Sequence, residues 1–261
     1  MKELLVIDLG FVEYGAAWEL QCRVVAARKA GTVPDVLLLC EHPHVITLGR
    51  SGKISNLRAP EEVLRKMGVS FFETNRGGDI TYHGPGQVVG YPILNLAEIR
   101  RDVGWYVRSL EESMIRATAE FGISAGRMPG FTGVWVDAAA RRAGGGVEDG
   151  KEVKEGKEGE DAEKLAAIGV HISRWVTSHG LAYNVTTDLR YFDLIVPCGI
   201  AGKRATSLEK LLGRRVETRQ AAARISAHLA EILGLRPRAC GLDDLENALK
   251  IQEECAAPAV V

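Results

Sequence analysis

Apolar positions along the chain fall into two periods. Strand-like runs occur at Leu4–Leu9, Val36–Cys40, Val45–Leu48, Val88–Leu94, Gly133–Val136, Leu165–Ile172, Leu181–Val185 and Leu194–Val196. Between them the spacing turns helical. Trp18, Cys22, Val25 and Ala26 recur at i, i+4, i+7 and i+8 and predict an amphipathic helix ended by Gly31. Val103, Val107, Leu110, Met114 and Phe121 predict a longer helix stopped near Gly122. Thr206-Ser-Leu-Glu209 reads as a capping box for a short helix closed by Gly213. Thr218 opens a last helix that carries Ile225, Leu229 and Ile232 and ends at Gly234. Helices and strands alternate, but several strands follow one another directly. The order predicts an α/β fold with a mixed sheet flanked by helices.

One stretch breaks the pattern. From Arg141 to Glu163 the chain is rich in Glu, Lys and Gly and has no aromatic residue. Its isolated valines cannot offset the entropy of ordering it, so it reads as a flexible charged insert between two core strands. The whole of 1–261 is then one domain with a loose C-terminal tail, a length sufficient for a substantial core.

Composition narrows the functional classes. With 46% hydrophobic and 26% charged residues and a net charge of −1, the chain has no general pull toward nucleic acid or anionic membrane. Five widely spaced cysteines with no C-x-x-C pair suggest free thiols and a reducing compartment. The N-terminus enters a strand pattern almost at once, and no apolar run reaches the roughly 20 residues of a membrane span. A cytoplasmic location is expected.

Candidate chemistry concentrates in four segments. The run Phe192-Asp-Leu-Ile-Val-Pro-Cys-Gly-Ile200 reads as a strand that stops at Pro197, presents one thiol, Cys198, and turns away at Gly199. Arg76-Gly-Gly-Asp-Ile-Thr-Tyr-His-Gly-Pro-Gly-Gln87 is too rich in Gly and Pro for regular structure, but its glycines let backbone N–H groups approach a ligand. Lys164 heads the apolar run Leu165-Ala-Ala-Ile-Gly-Val170, and His179-Gly-Leu-Ala182 leads into another strand. Alternation places Cys40, His42 and His44 on one face if Pro43 leaves that strand intact. Three ligands so close make an awkward metal site without a second set, and they read as structural. No metal is assigned.

Taken in order, Arg76–Gln87, Lys164-Leu-Ala-Ala-Ile-Gly169, His179-Gly-Leu-Ala182, Pro197-Cys-Gly-Ile200 and Thr206-Ser-Leu208 resemble the motif set of the octanoyl-[acyl carrier protein]:protein N-octanoyltransferases, the lipoyl/octanoyl transferases of lipoic acid synthesis. The resemblance runs from about Leu4 to Leu233. It implies the fold of the biotin and lipoate protein ligases, a mixed sheet with helices around a substrate tunnel. It implies Cys198 as acyl-thioester nucleophile and Lys164 as the group that lowers the thiol pKa and acts as general acid/base. It places Arg76, Gly77, Gly78, Asp79, Ile80, Thr81, Tyr82, His83, Ala167, Ile168, Gly169, Gly180, Leu181 and Ala182 around the acyl group, with His179 as an orienting residue. Octanoyl-acyl carrier protein would be the donor. Apo lipoyl domains of 2-oxoacid dehydrogenases and the glycine-cleavage H protein would be the acceptors. The chain departs from the pattern in the length and charge of its insert and in Leu165, where Ile is usual. Lys151, Lys154 and Lys157 lie just upstream, but only Lys164 abuts the strand.

The residue types suit that reaction. A free thiol with a pKa of about 8.5 is only a few per cent thiolate at neutral pH, and a neighbouring lysine raises that fraction. Thioester exchange is near neutral and amide formation is downhill, so neither ATP nor another cofactor is required. Backbone N–H groups near Gly199 or at Gly77–Gly78 are candidate oxyanion donors. The competing readings are an ATP-dependent lipoate or biotin protein ligase on the same fold, a non-catalytic acyl-carrier-binding module, and a thioesterase using the same thiol.

Overall fold

The computed structural model describes residues 2–137, 162–196 and 203–256. In chain order the elements are β1 (Glu3–Phe11), α1 (Tyr14–Ala30), β2 (Asp35–Glu41), β3 (Val45–Leu48), α2 (Glu61–Lys66), β4 (Ser70–Glu73), β5 (Ile80–His83), β6 (Gln87–Ile93) and α3 (Val103–Ala119). They continue with β7 (Gly126–Met128), β8 (Phe131–Asp137), β9 (Ala162–Ser173), β10 (Val176–Asn184), β11 (Arg204–Ala205), α4 (Leu208–Leu212), α5 (Thr218–Leu233), β12 (Arg236–Ala239) and α6 (Leu242–Ala256).

The large sheet runs β12-β1-β2-β6-β10-β9-β8-β7. Strands β12, β1 and β2 are parallel to one another and the rest of that path is antiparallel. The predicted mixed sheet flanked by helices is the observed architecture. Alternation along the central strands feeds two cores. Leu37 and Leu39 of β2 face one that holds Leu110 and Met114 of α3 and Ile225 and Leu229 of α5. Val36, Leu38 and Cys40 face the other, with Leu20 and Val24 of α1 and Leu245 and Leu249 of α6. Strands covered on both faces read as continuous apolar runs, which is why they are legible in the sequence. A smaller sheet, β4-β3-β5, carries a third core with Leu64 of α2 and with Phe192 and Leu194 of the 3-10 turn Leu189–Leu194. No described helix is long and apolar enough to cross a membrane.

Several expectations are corrected. The α1 helix ends at Gly31 in the left-handed conformation as predicted, but its phase differs. It buries Tyr14, Ala17, Leu20, Gln21, Val24, Ala27 and Arg28, leaving Cys22 and Ala26 exposed. The buried polar groups have distant partners: Arg28 pairs with Asp35 at 2.8 Å and Glu98 at 3.0 Å. Residues 194–196 are not a strand. The 3-10 turn ends at Leu194, and Ile195 makes a single bridge to Leu57.

The α4 cap is Ser207, which accepts from Lys210 N, rather than Thr206. The N-cap of α5 is Glu217, which makes no side-chain cap bond, while Thr218 is the first helical residue and its hydroxyl donates to Glu41 at 2.6 Å. The glycine-rich motif does contain regular structure, since Ile80 and Tyr82 bury into the third core and give β5 its reason to form. Of the predicted insert, Ala162 and Glu163 belong to β9, and 141–161 lies outside the described residues.

Candidate active site

Strands β9 and β10 form a hairpin whose register sets Gly180 opposite Gly169, Leu181 opposite Ile168 and Ala182 opposite Ala167. Two motifs far apart in sequence therefore become one surface. The bare α-carbon of Gly169 lets the Arg76–Gly77 loop lie on it: an added β-carbon would sit 2.8 Å from Gly77 O and 3.1 Å from Arg76 Cδ. The loop is tied there by Gly77 N donating to Val170 O at 2.8 Å. Lys164 lies near the start of the same strand, where β11 runs alongside and Thr206 N donates to Lys164 O.

These pieces line one cleft, about 520 Å³ of space between its walls and the open solvent at its mouth. Arg76, Gly78–Thr81, His83, Lys164, Ala167–Gly169 and His179–Ala182 line it. Tyr14, Val89 and Tyr91 complete its wall, and none of these three has a signature that a sequence reading can single out. An adjoining cleft of about 500 Å³ shares Thr81, Lys164, Ala167 and Ala182 and adds Trp135, Phe192 and Lys203–Ala205. Gly77 lines only the wide outer mouth, which it shares with Gly78, Asp79 and Lys164. Tyr82 lines none of them. Alternation along β5 sends it into the third core, where His44 Nδ1 and the Tyr82 hydroxyl are 2.7 Å apart. Cys198 lies outside the described residues.

The Lys164 side chain is positioned from β8. Its ammonium sits over the Trp135 ring at 5.0 Å from the centroid, a cation–π contact. Asp79 is a loop anchor as well as a lining residue, accepting from Asn56 Nδ2 at 2.6 Å and Ile80 N at 2.7 Å. Asn56 O in turn accepts from Val196 N at 2.7 Å. The glycine-rich loop is thereby coupled to the segment that leads to Cys198.

The polar wall is built from neutral histidines around one cation. Arg76, buried, donates to Thr47 O at 2.6 Å and to Thr47 Oγ1 at 2.9 Å. His83 donates from Nδ1 to Gln87 Oε1 at 2.8 Å, a direction fixed because Gln87 Nε2 already donates to Asn184 Oδ1. Burial, reinforced by His42 and Arg76, pushes His83 down to about 3. Burial and the Arg76 charge push His179 down to about 4. His179 also holds φ +54°, a conformation that costs a non-glycine residue about 1–3 kcal/mol. It is kept there by its N–H donating to Gln21 Oε1 at 3.0 Å and its Nε2–H donating to Asn75 Oδ1 at 2.7 Å. His42 is lowered by burial too. It donates from Nδ1 to Val12 O and accepts from the Tyr91 hydroxyl, each at 2.7 Å.

The Cys40-His42-His44 trio does not share a face. The β2 strand ends at Glu41, and beyond Pro43 His44 turns to Tyr82 and Tyr191. Among the described residues no group of three or more His, Cys, Asp and Glu is arranged to hold a metal.

Neutral buried histidines have a consequence for stability. Below about pH 6.5 the unfolded chain binds protons that the folded chain refuses, so stability falls as pH drops through this window. Each such histidine contributes a slope of about 1.4 kcal/mol per pH unit. Urea unfolding of the wild type is expected to show this loss between about pH 6.5 and 5, above the carboxylate range. His83→Gln is expected to flatten it by one histidine's share. Equal slopes for the two proteins would show that His83 is not held neutral.

Comparisons with known proteins give the family and the fold. Residues 13–230 match the lipoyl protein ligase A/B catalytic domain. An octanoyltransferase of Solibacter usitatus is 50% identical over 232 residues, covering 89% of this chain and 94% of its own. One from Koribacter versatilis is 42% identical over 256 residues, covering 97% and 93%. Among solved structures, a bipartite lipoate protein ligase from Thermoplasma acidophilum superposes with a TM-score of 0.69 at 14% identity, covering 98% of this chain and 93% of its own. Lipoate-protein ligase A bound with ATP superposes with a TM-score of 0.65 at 14% identity, covering 98% and 94%. At such identities the structural matches speak for the fold.

Proposed function

The chain belongs to the lipoyl protein ligase A/B catalytic-domain family, and from that premise we propose that it transfers an octanoyl group from octanoyl-acyl carrier protein to a lysine of apo lipoyl domains. It is an acyltransferase, and the reaction needs no ATP. The acceptors are the lipoyl domains of 2-oxoacid dehydrogenases and the glycine-cleavage H protein. The observation that carries this reading is the convergence of Arg76, Gly78–Thr81 and His83 with Ala167–Gly169 and Gly180–Ala182 on one cleft that Lys164 also lines.

In the first step Cys198 reacts as the thiolate, its proton held on Lys164, and attacks the donor's thioester carbon. The new S–C bond forms as the carrier's C–S bond breaks, and Lys164 returns its proton to the departing carrier thiolate. The octanoyl chain lies in the inner cleft against Val89, Ile168 and Leu181. In the second step an acceptor lysine amine attacks the acyl carbon. Its surplus proton passes to Lys164 as Cys198 is released as the thiolate, which restores the starting ion pair. The wide mouth, where Gly77, Gly78, Gly130 and Thr132 meet Lys164, is the side from which carrier arm and acceptor enter.

The test is intact-protein mass spectrometry after mixing enzyme with octanoyl carrier protein without ATP, then adding an apo lipoyl domain. The expected result is an octanoyl adduct on the enzyme that moves to the acceptor lysine. Modification only when ATP and free octanoate are supplied would establish a ligase instead.

A further inference from the structure

Glu111 is a buried carboxylate on α3 that lines none of the three clefts described above, yet it bonds to the strand against which Lys164 lies. Its Oε1 accepts from Gly133 N at 3.0 Å, and its Oε2 accepts from Arg127 Nε at 3.0 Å. Gly133 lies on β8 just before the ladder slips: Val134 pairs with Ala166, but Trp135 pairs with Lys164. The slip leaves Leu165 as the extra residue, buried in the α3 core, and sets Lys164 and Trp135 side by side.

The backbone at Gly133 has φ +128°, accessible to glycine and strained for any residue with a β-carbon. A β-carbon there would overlap Ala166 O and stand 2.8 Å from Lys164 Cε. The methylenes of Lys164 therefore lie against the empty face of Gly133, and its ammonium lies over Trp135 two residues later. The position of that face is set by what holds the Gly133 N–H, which is Glu111.

We propose that Glu111 is a positioning residue for Lys164, acting through the Gly133 N–H to fix the stretch of β8, opposite the β9 bulge, on which the lysine rests. This rests on the reading of Lys164 as the proton-transfer partner of Cys198. An apolar side chain at a buried helix position would serve stability as well as a paired carboxylate does. The bond to Gly133 is what an apolar residue would lose.

The full-length wild type, Glu111→Ala, Glu111→Gln and Lys164→Ala are compared by the pH profile of alkylation at Cys198, read by peptide mass spectrometry. Octanoyl-adduct kinetics and a thermal melt complete the set. Glu111→Ala is expected to move the profile upward as Lys164→Ala does, and to slow adduct formation by about tenfold or more with the donor KM unchanged. Glu111→Gln, which keeps an oxygen for Gly133 but not the charge, is expected to stay close to wild type.

A wild-type profile for a folded Glu111→Ala, while Lys164→Ala shifts, would overturn the inference and leave the role of Lys164 standing. Loss in Glu111→Gln equal to that in Glu111→Ala would assign the effect to the charge and overturn the inference as well. No shift in Lys164→Ala itself would remove the premise. If Glu111→Ala does not fold, Glu111→Asp, whose carboxylate falls one methylene short of Gly133, takes its place with the same two outcomes.

Discussion

Cys198→Ala is expected to form no octanoyl adduct and to transfer octanoate at least about 10⁴-fold more slowly than wild type, the scale on which removing a covalent nucleophile acts. The described residues on either side of the motif Pro197-Cys-Gly-Ile200 both reach the cleft. Before it, Ile195 bridges Leu57 and Val196 N donates to Asn56 O. After it, Arg204 and Ala205 run parallel to Glu163 and Lys164. Phe192 on one side and Lys203–Ala205 on the other line the cleft that Lys164 and Ala167 also line. Both flanks thus converge on the lysine.

Without the thiol, the acceptor amine would have to attack the donor thioester directly, with both carriers present together in one mouth. That is the route a non-covalent transferase would use, and it predicts Cys198→Ala activity near wild type. Single-turnover mixing of the variant with octanoyl carrier protein, followed by mass, separates the two. An adduct on Cys198→Ala would end the assignment.

What the sequence discloses follows a physical line. Residues whose role is set by near neighbours or by an apolar run are legible. Strands β2, β6 and β10 announce themselves because both faces are covered, and Gly31, Gly213 and Gly234 announce helix ends because all three take the left-handed conformation. Roles set by distant partners are not. The apolar spacing predicts the wrong face for α1 because Gln21 and Arg28 are buried, and no local signal reveals their partners His179 N, Asp35 and Glu98.

The exposed edge strand β12, Arg-Pro-Arg-Ala, has no apolar alternation to detect. Within the site, the motif residues were legible as a set, yet the Gly180–Gly169 register that unites them is a property of the hairpin. The resemblance puts Tyr82 with the lining residues, and β5 is not among the strand-like runs of the sequence. Once Ile80–His83 is a strand, alternation separates Tyr82 from Thr81 and His83. Tyr14, Tyr91 and Trp135 enter the cleft walls from elements whose sequences look like ordinary core.

The second large effect expected is at Lys164. Lys164→Ala should slow both half-reactions by about 10²- to 10⁴-fold, the usual worth of a positioned proton-transfer group. The direction of the thiol's response follows from charge. An ammonium beside a thiolate stabilises the charged form, so removing it raises the thiol pKa. The alkylation profile of Cys198 should therefore move up toward the ordinary thiol value of about 8.5 or beyond. An unmoved profile would mean that Lys164 does not tune the thiol.

Lys164→Arg separates the lysine's two roles, because a guanidinium keeps the positive charge but does not release a proton at working pH. Its alkylation profile should stay near that of wild type, and the octanoyl adduct should still form. The adduct should then persist when apo lipoyl domain is added, since the attacking amine has no base to receive its proton. Transfer by Lys164→Arg at the wild-type rate would show that the residue acts through charge alone, and the proton would have to leave by another group. The buried histidines are poor substitutes: His83 and His179, held down to about 3 and about 4, are weak bases with their Nδ1–H and Nε2–H already committed to Gln87 and Asn75. A trapped acyl-enzyme in Lys164→Arg is thus the outcome that the geometry of this cleft favours.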